Sequence, residues 1–168
     1  MRISIVVAMD RNPAIGRARK RPRIRPPAAQ NWFRETIADK PVVLGRKTHE
    51  SLGESLPGQF NVVLTRNRKY EAEDCLMLHS VEDVLRVLAE FEEVMVIGGM
   101  EIFRQFLPYA SKVYLTIVDR NLAEGFYSLP EDWSRDWRTV ERKDVRRGND
   151  TPYDLTFIVL ERIDPAHL

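Results

Sequence analysis

The feature that most constrains this chain is a repeated alternation between short runs of β-branched residues and longer stretches with helical spacing of apolar residues. Parallel strands need a crossover connection, usually a helix, so this alternation predicts an α/β fold with a mostly parallel sheet. We predict strands at residues 3–9, 41–44, 61–65, 76–78, 94–97, 112–118, 138–143 and 153–161. The last two strands follow the final helix, and we expect them to lie antiparallel at one edge.

Four helices fit between these strands. The best marked follows Ser80, because Asp83 stands three residues later, as in a capping box. Its predicted apolar face comprises Val81, Val84, Leu85 and Leu88. The other helices are predicted at residues 28–38, at residues 47–52, and from after Gly99 to Pro108.

Length and composition limit the class of protein. The 168 residues predict a single domain, 1–168, and 26 basic against 25 acidic side chains give a net charge of +1, which does not favour nucleic acid as a partner. The mainly apolar stretch 3–9 is far shorter than the roughly 18 residues of a membrane helix, so no membrane partner is expected. Cys75 is the only cysteine, which favours a reducing, cytoplasmic compartment, and we expect a monomer. The three histidines are scattered along the sequence, and no metal site is expected.

Residues 17–25 form a local basic anomaly. This segment reads RARKRPRIR, six basic residues in nine with no acid, and Pro26 and Pro27 follow it. A helix cannot continue through these prolines, so the segment is predicted to be a loop. It is either a solvated basic surface or a site that binds an anion, and it contains no aromatic residue on which a nucleic-acid base could stack.

Three predicted strands end in residues suited to a negatively charged ligand. Gly98-Gly99, Gly45–Thr48 and Thr65-Arg66 offer glycine, hydroxyl or cationic groups where strands give way to helices or turns. Open α/β sheets bind ligands at the carboxyl ends of their strands, where helix N-termini supply N–H donors. Each junction alone is also explained by a tight turn that needs glycine. Together they predict an extended anion such as a dinucleotide.

Five collinear segments carry a family resemblance. They are residues 3–9 leading to Ile15-Gly16, residues 40–51 (KPVVLGRKTHES), residues 56–58 with 61–67 (NVVLTRN), residues 94–108 (VMVIGGMEIFRQFLP) and residues 113–119 (VYLTIVD). Through them the sequence resembles the dihydrofolate reductase family over nearly its full length. The resemblance implies an eight-stranded sheet with helices on both faces, NADPH across the strand ends, and hydride transfer to a small-molecule C=N acceptor.

The resemblance also implies a set of site residues. Cofactor-binding positions are Ala8, Ile15, Gly16, Gly45, Arg46, Lys47, Thr48, Thr65, Arg66, Ile97, Gly98, Gly99, Phe103 and Gln105. Substrate-pocket positions are Val6, Arg23, Ala28, Trp32, Leu52, Leu56 and Gln59, with Thr116 as the hydroxyl partner of the family's pocket acid. The forked donors of Arg46 and Arg66 suit a 2′-phosphate and favour NADPH over NADH. Met100 and Glu101 stand where the family often has small or basic residues.

The substrate side departs from the family pattern. Ala28, or Ala29 in a shifted alignment, replaces the pocket acid; Arg23 replaces the loop tryptophan; and Gln59 replaces the arginine that pairs with the folate carboxylate. The leading interpretation is an NADPH-dependent reductase whose acceptor is not ordinary dihydrofolate and carries a negative group. A divergent but active dihydrofolate reductase, and a catalytically idle module that binds NADPH, RNA or a partner, remain as alternatives.

Overall fold

The structure is a computed structural model that describes residues 1–10, 26–119 and 133–163. Within these ranges the chain forms eight strands and four α-helices. The strands are β1 (Arg2–Asp10), β2 (Val42–Gly45), β3 (Asn61–Leu64), β4 (Cys75–Leu78), β5 (Glu93–Gly98), β6 (Ala110–Val118), β7 (Trp137–Val145) and β8 (Leu155–Arg162). The helices are α1 (Pro27–Ile37), α2 (Arg46–Leu52), α3 (Val81–Val87) and α4 (Met100–Phe106).

The strands form one mixed sheet in the order β4-β3-β2-β5-β1-β6-β8-β7. The pairs β1–β5, β2–β5, β2–β3 and β3–β4 are parallel. The pairs β6–β8 and β7–β8 are antiparallel. The predicted α/β class, with a mostly parallel sheet and an antiparallel C-terminal edge, is confirmed.

The described residues divide into two compact units. The first comprises Met1–Val6 and Ile37–Ser111, and the second comprises 7–36 and the residues from 112 onward. Every residue of β2, β3 and β5 in the first unit is buried. Parallel strands covered on both faces need apolar side chains on both, which explains why these strands are continuous apolar runs rather than alternating ones.

Glu93 is a carboxylate at the start of β5 whose side chain is only 5% exposed. Arg2 Nε donates to its carboxylate at 2.9 Å, Ser4 Oγ at 2.6 Å, and Lys40 Nζ lies 3.1 Å away. Burial raises the pKa of Glu93. The hydrogen bonds from Ser4, Arg2 and Lys40, together with the charge of Lys40, outweigh this effect and lower the pKa to about 2. The carboxylate therefore remains ionised inside the unit.

The second unit contains a small core at the start of α1 and the ends of β6 and β8. Val118, Leu155 and Phe157 are buried together. The partly buried residues packed against this cluster are Ala28, Ala29, Trp32, Val145 and Tyr153. On the outer strand β7, all residues between the buried Trp137 and the half-buried Val145 are exposed, and the β7–β8 register shifts between Thr139 and Glu141.

Several predicted boundaries shift by one or two residues. β8 begins at Leu155 instead of residue 153, because the Thr151 hydroxyl donates to the Tyr153 carbonyl and accepts from the Tyr153 N–H. Helix α4 ends at Phe106, and a 3₁₀ turn continues through Leu107–Tyr109, where Pro108 has no N–H for an α-helical bond. No helix in the described ranges is long and apolar enough to cross a membrane.

Candidate functional site

The three ligand-binding junctions predicted from the sequence lie at one end of the first unit. Because β2 is parallel to both β3 and β5, their carboxyl ends point the same way. Gly45 is paired with Leu64, and Leu44 with Gly98, so Gly45, Thr65 and Gly98-Gly99 come at neighbouring strand ends. The grouping of these glycine, hydroxyl and cationic residues follows from this register.

Gly45 packs closely against a neighbouring side chain. A Cβ on Gly45 would lie 3.0 Å from Ile102 Cγ1, whereas one on Gly99 would lie 3.4 Å from Thr48 Oγ1, an ordinary van der Waals contact. Gly98 has a φ of +126°, which residues with side chains rarely adopt, and the Gly98-Gly99 peptide is cis. The positive φ of Gly98 thus explains why glycine stands at the end of β5.

Both predicted arginines at this end are paired with carboxylates. Arg46 Nη1 lies 2.9 Å from Glu50 Oε1 one helical turn later, and Arg66 Nη2 lies 3.3 Å from Glu101 Oε1 on α4. Arg66 and Glu101 are 89% and 71% exposed. These cations can reach a ligand in solvent, but each already has an anionic neighbour.

The remaining predicted cofactor residues of this unit differ in exposure. Thr48 and Thr65 are buried, and Thr65 Oγ1 accepts from the Asn67 N–H at 3.1 Å. Ile97 and Phe103 are each 5% exposed and belong to the core, whereas Lys47 and Gln105 are exposed. Ala8 is exposed on the part of β1 that belongs to the second unit. Ile15, Gly16, Arg23 and the basic segment 17–25 lie outside the described residues.

Aromatic packing fixes Trp32 in the second unit. Its ring stacks on Phe157 with centroids 4.7 Å apart and meets Tyr114 edge-on at 6.1 Å. Thr116 is 5% exposed and lies opposite Phe157 in the β6–β8 ladder. Trp32 and Thr116, which the sequence places in the substrate pocket, thus lie in the same part of this unit, beside Phe157.

Ala28 and Ala29 occupy the first turn of α1. Ala28 N–H donates to the Asp150 carbonyl at 3.1 Å. Both alanines pack against the apolar cluster of Val118, Leu155 and Phe157. The ambiguity between them has no chemical consequence, since neither alanine can hold a proton.

Gln59 lies in a loop of the first unit after Leu56. With its amide nitrogen facing inward, Gln59 donates to the carbonyls of Lys40 at 2.7 Å and Ile37 at 2.9 Å. Asn61, which the sequence did not single out, holds this loop through bonds to both backbone groups of Leu56 and to the Gln59 carbonyl. The two donors of Gln59 are therefore committed to the backbone.

The sequence also gave no signal for a side-chain cluster beside this loop. His49 Nδ1 lies 2.7 Å from Tyr70 Oη, His49 Nε2 lies 3.6 Å from Cys75 Sγ, and Ser55 Oγ lies 2.9 Å from the same sulfur. Burial, followed by the negative charge of Glu50, raises the pKa of Tyr70. These residues are 5 to 26 positions apart, so no local pattern could have indicated the cluster.

Comparison with known proteins gives a consistent result. A family model described as "Dihydrofolate reductase" matches residues 2–162. The chain belongs to the dihydrofolate reductase family. Dihydrofolate reductase of Haemophilus influenzae is 36% identical over 163 residues, covering 96% of this chain and 99% of that protein. The type 3 dihydrofolate reductase of Salmonella typhimurium is 36% identical over 162 residues, with coverages of 96% and 99%.

A solved structure supports the fold of this family member. Dihydrofolate reductase from Enterococcus faecalis, complexed with NADP(H) and RAB-propyl, superposes with a TM-score of 0.86 at 30% identity, covering 97% of each chain. The family predicted from the five sequence segments is confirmed. The predicted NADPH cofactor agrees with the NADP(H) in that neighbour. The glycines at the strand ends, with cationic side chains beside them, fit the phosphates of such a cofactor.

Proposed function

We propose that this family member uses NADPH to reduce a C=N bond in an acceptor that needs no proton from the protein, and that ordinary dihydrofolate is not its preferred acceptor. The observation that carries the proposal is the apolar surrounding of Ala28 and Ala29, which pack against the buried cluster of Val118, Leu155 and Phe157.

The cofactor end of the proposal uses the strand-end residues of the first unit. Three glycines, Gly45, Gly98 and Gly99, stand at the strand ends where the diphosphate would lie, while Lys47 and the two arginines supply positive charge. Bound NADPH would supply the hydride, and the chain's own residues would hold the cofactor and orient the acceptor. Arg66 and Arg46 would meet a 2′-phosphate as forked donors.

The acceptor end explains why dihydrofolate is disfavoured. Reduction of a C=N bond adds a proton as well as a hydride, and losing a general acid costs about 10²- to 10⁴-fold in rate. Neither Ala28 nor Ala29 can donate this proton. Gln59 is uncharged and its donors already serve two carbonyls, so it offers a carboxylate no bidentate partner. Thr116 retains a hydroxyl near Phe157.

Other ionisable side chains that could supply a proton are poorly placed for this role. Glu35 is exposed on α1, and Glu54 is exposed in the loop after α2. His49 is buried, with its ring nitrogens facing Tyr70 and Cys75. An acceptor that arrives as an iminium ion, already cationic at nitrogen, needs none of them.

A second candidate function is an active dihydrofolate reductase that takes its proton from water. The observation that favours it is the full-length identity of 36% to two proteins named dihydrofolate reductase. The two candidates differ in their acceptor and share the same cofactor, so turnover with dihydrofolate separates them.

The experiment measures NADPH oxidation by the purified protein with dihydrofolate, with a permanently cationic N-alkyl iminium ion, and with no acceptor, beside direct NADPH binding. We expect binding, iminium reduction, and dihydrofolate turnover at least 10²-fold below the usual range of about 1 to 10³ s⁻¹. Dihydrofolate turnover within that range would refute the proposal and establish the second candidate. Failure to bind NADPH would exclude both and leave an idle or partner-binding module.

Matched variants test the acid position directly. Ala28→Asp and Ala29→Asp, each combined with Gln59→Arg, should raise dihydrofolate turnover about tenfold or more in one of the two backgrounds. Ala38→Asp is the control, since Ala38 is exposed and the same charge is introduced elsewhere. An equal effect of the control, or no gain from either acid, would contradict the assigned role of this position.

A further inference from the structure

The ion pair between Arg66 and Glu101 joins two of the strand ends described above. Arg66 follows β3, and Glu101 is the second residue of α4, which begins directly after Gly98-Gly99. Their side chains approach to 3.3 Å although the residues are 35 positions apart. Both side chains are mainly exposed among the described residues, so the pair lies in contact with solvent.

A 2′-phosphate and the Glu101 carboxylate would compete for the guanidinium of Arg66. A phosphate monoester carries about 1.5 to 2 negative charges and three acceptor oxygens, whereas NADH presents only a ribose hydroxyl at that position. Binding the phosphate on Arg66 would therefore either break the Arg66–Glu101 pair or bring two anions close together. A ribose hydroxyl faces no such repulsion and can donate to a carboxylate.

We propose that Glu101 is a specificity-determining residue that reduces the preference for NADPH over NADH by competing for Arg66. The inference rests on the proposed function, because it takes Arg66 as a partner of the cofactor's 2′-phosphate. Glu101 acts in this proposal through Arg66 and through the charge it places beside the phosphate, and it has no role in hydride transfer.

The test is a set of binding titrations with NADPH and NADH on the full chain, at low and high salt. Glu101→Gln should tighten NADPH about three- to tenfold and change NADH less than about twofold, since exposed ion pairs and like-charge contacts are worth this much. The gain should shrink as salt rises, because exposed charges are screened. Arg66→Gln should weaken NADPH and leave NADH nearly unchanged.

A double-mutant cycle separates competition for Arg66 from a general charge effect. In the Arg66→Gln background, Glu101→Gln should tighten NADPH less than it does in the wild-type chain. Glu90→Gln is the matched control. It removes the same charge at an exposed position before β5 begins, at the opposite end of that strand. It should change neither affinity by more than about twofold.

The outcomes distinguish failure of the inference about Glu101 from failure of the proposed function. NADPH affinity that Glu101→Gln leaves unchanged, or an equal gain for both cofactors, overturns the inference while NADPH binding itself stands. A gain of the same size in the Arg66→Gln background also overturns it, since the effect would then not pass through Arg66. Wild-type protein that binds neither cofactor overturns the proposed function and the inference together.

Discussion

Replacing the buried carboxylate of Glu93 by an amide is expected to reduce stability in a way that depends on pH. Glu93→Gln keeps the shape of the side chain and removes its charge. Arg2, Ser4 and Lys40 then face an uncharged group, and the cations lose a partner that is only 5% exposed. We expect the variant to fold with a lower free energy of unfolding at neutral pH.

The magnitude follows from the pKa of Glu93. This pKa is about 2 in the folded chain, against 4.5 for an ordinary glutamate side chain. A difference of 2.5 units at about 1.36 kcal/mol per unit corresponds to about 3.4 kcal/mol. Because Arg2 is half exposed, solvent screens part of its attraction, and we expect a loss of about 2 to 3 kcal/mol.

The sign is set by which state binds the proton more tightly. A depressed pKa means that the unfolded chain takes up the proton first as pH falls below 4.5. The stabilisation by Glu93 is therefore present above pH 4.5 and is lost as pH falls toward 2. The Gln variant lacks this titration, so the two proteins should converge in stability at acid pH.

Urea unfolding of both proteins between pH 3 and pH 7 measures this difference. The adjacent, exposed Glu92→Gln is the control and should shift stability by about 0.5 kcal/mol or less at every pH. A wild-type minus Glu93→Gln difference that stays constant with pH would refute the reasoning, because it would mean that packing rather than charge explains the loss.

Three further perturbations test other parts of the chain. Gly45→Ala should cost about 1 to 3 kcal/mol in thermal unfolding, because its Cβ would press on the buried Ile102, whereas Gly148→Ala, whose nearest neighbour is 3.9 Å away, should be nearly neutral; equal effects would contradict the close approach. Ser80→Ala should cost about 1 kcal/mol by chemical denaturation, because its hydroxyl accepts from the Asp83 N–H at 3.1 Å; an unchanged midpoint would argue against that cap. Replacing the arginines at positions 21, 23 and 25 with glutamine should raise the KM for an anionic acceptor and reduce its salt dependence; if neither moves, the segment is only a basic surface.

Local patterns predicted the backbone well. The apolar runs at β2, β3 and β5 are strands because every side chain in them is buried, and Ser80 caps α3 as its spacing to Asp83 indicates. The glycine-containing strand ends were also predictable, because a backbone that packs closely or adopts a positive φ usually requires glycine at that position.

Pairings between distant side chains were not predictable in this way. Nothing near Arg66 in the sequence indicates that Glu101 lies 3.3 Å away, and nothing near Gln59 indicates that its amide is held by the carbonyls of Ile37 and Lys40. Such contacts depend on how strands and loops come together in three dimensions. The family resemblance identified Arg66 and Gln59 as site residues, and their hydrogen-bond partners became known only from the structure.

The outer strand β7 has a consequence for how this protein behaves at high concentration. An unpaired sheet edge is a template on which another chain can add a strand and begin aggregation. Along β7 an incoming strand would meet charged side chains at Arg138, Glu141, Arg142 and Lys143, and the register shift after Thr139 interrupts the row of backbone donors. Among the residues that the structure describes, these features discourage strand addition at this edge.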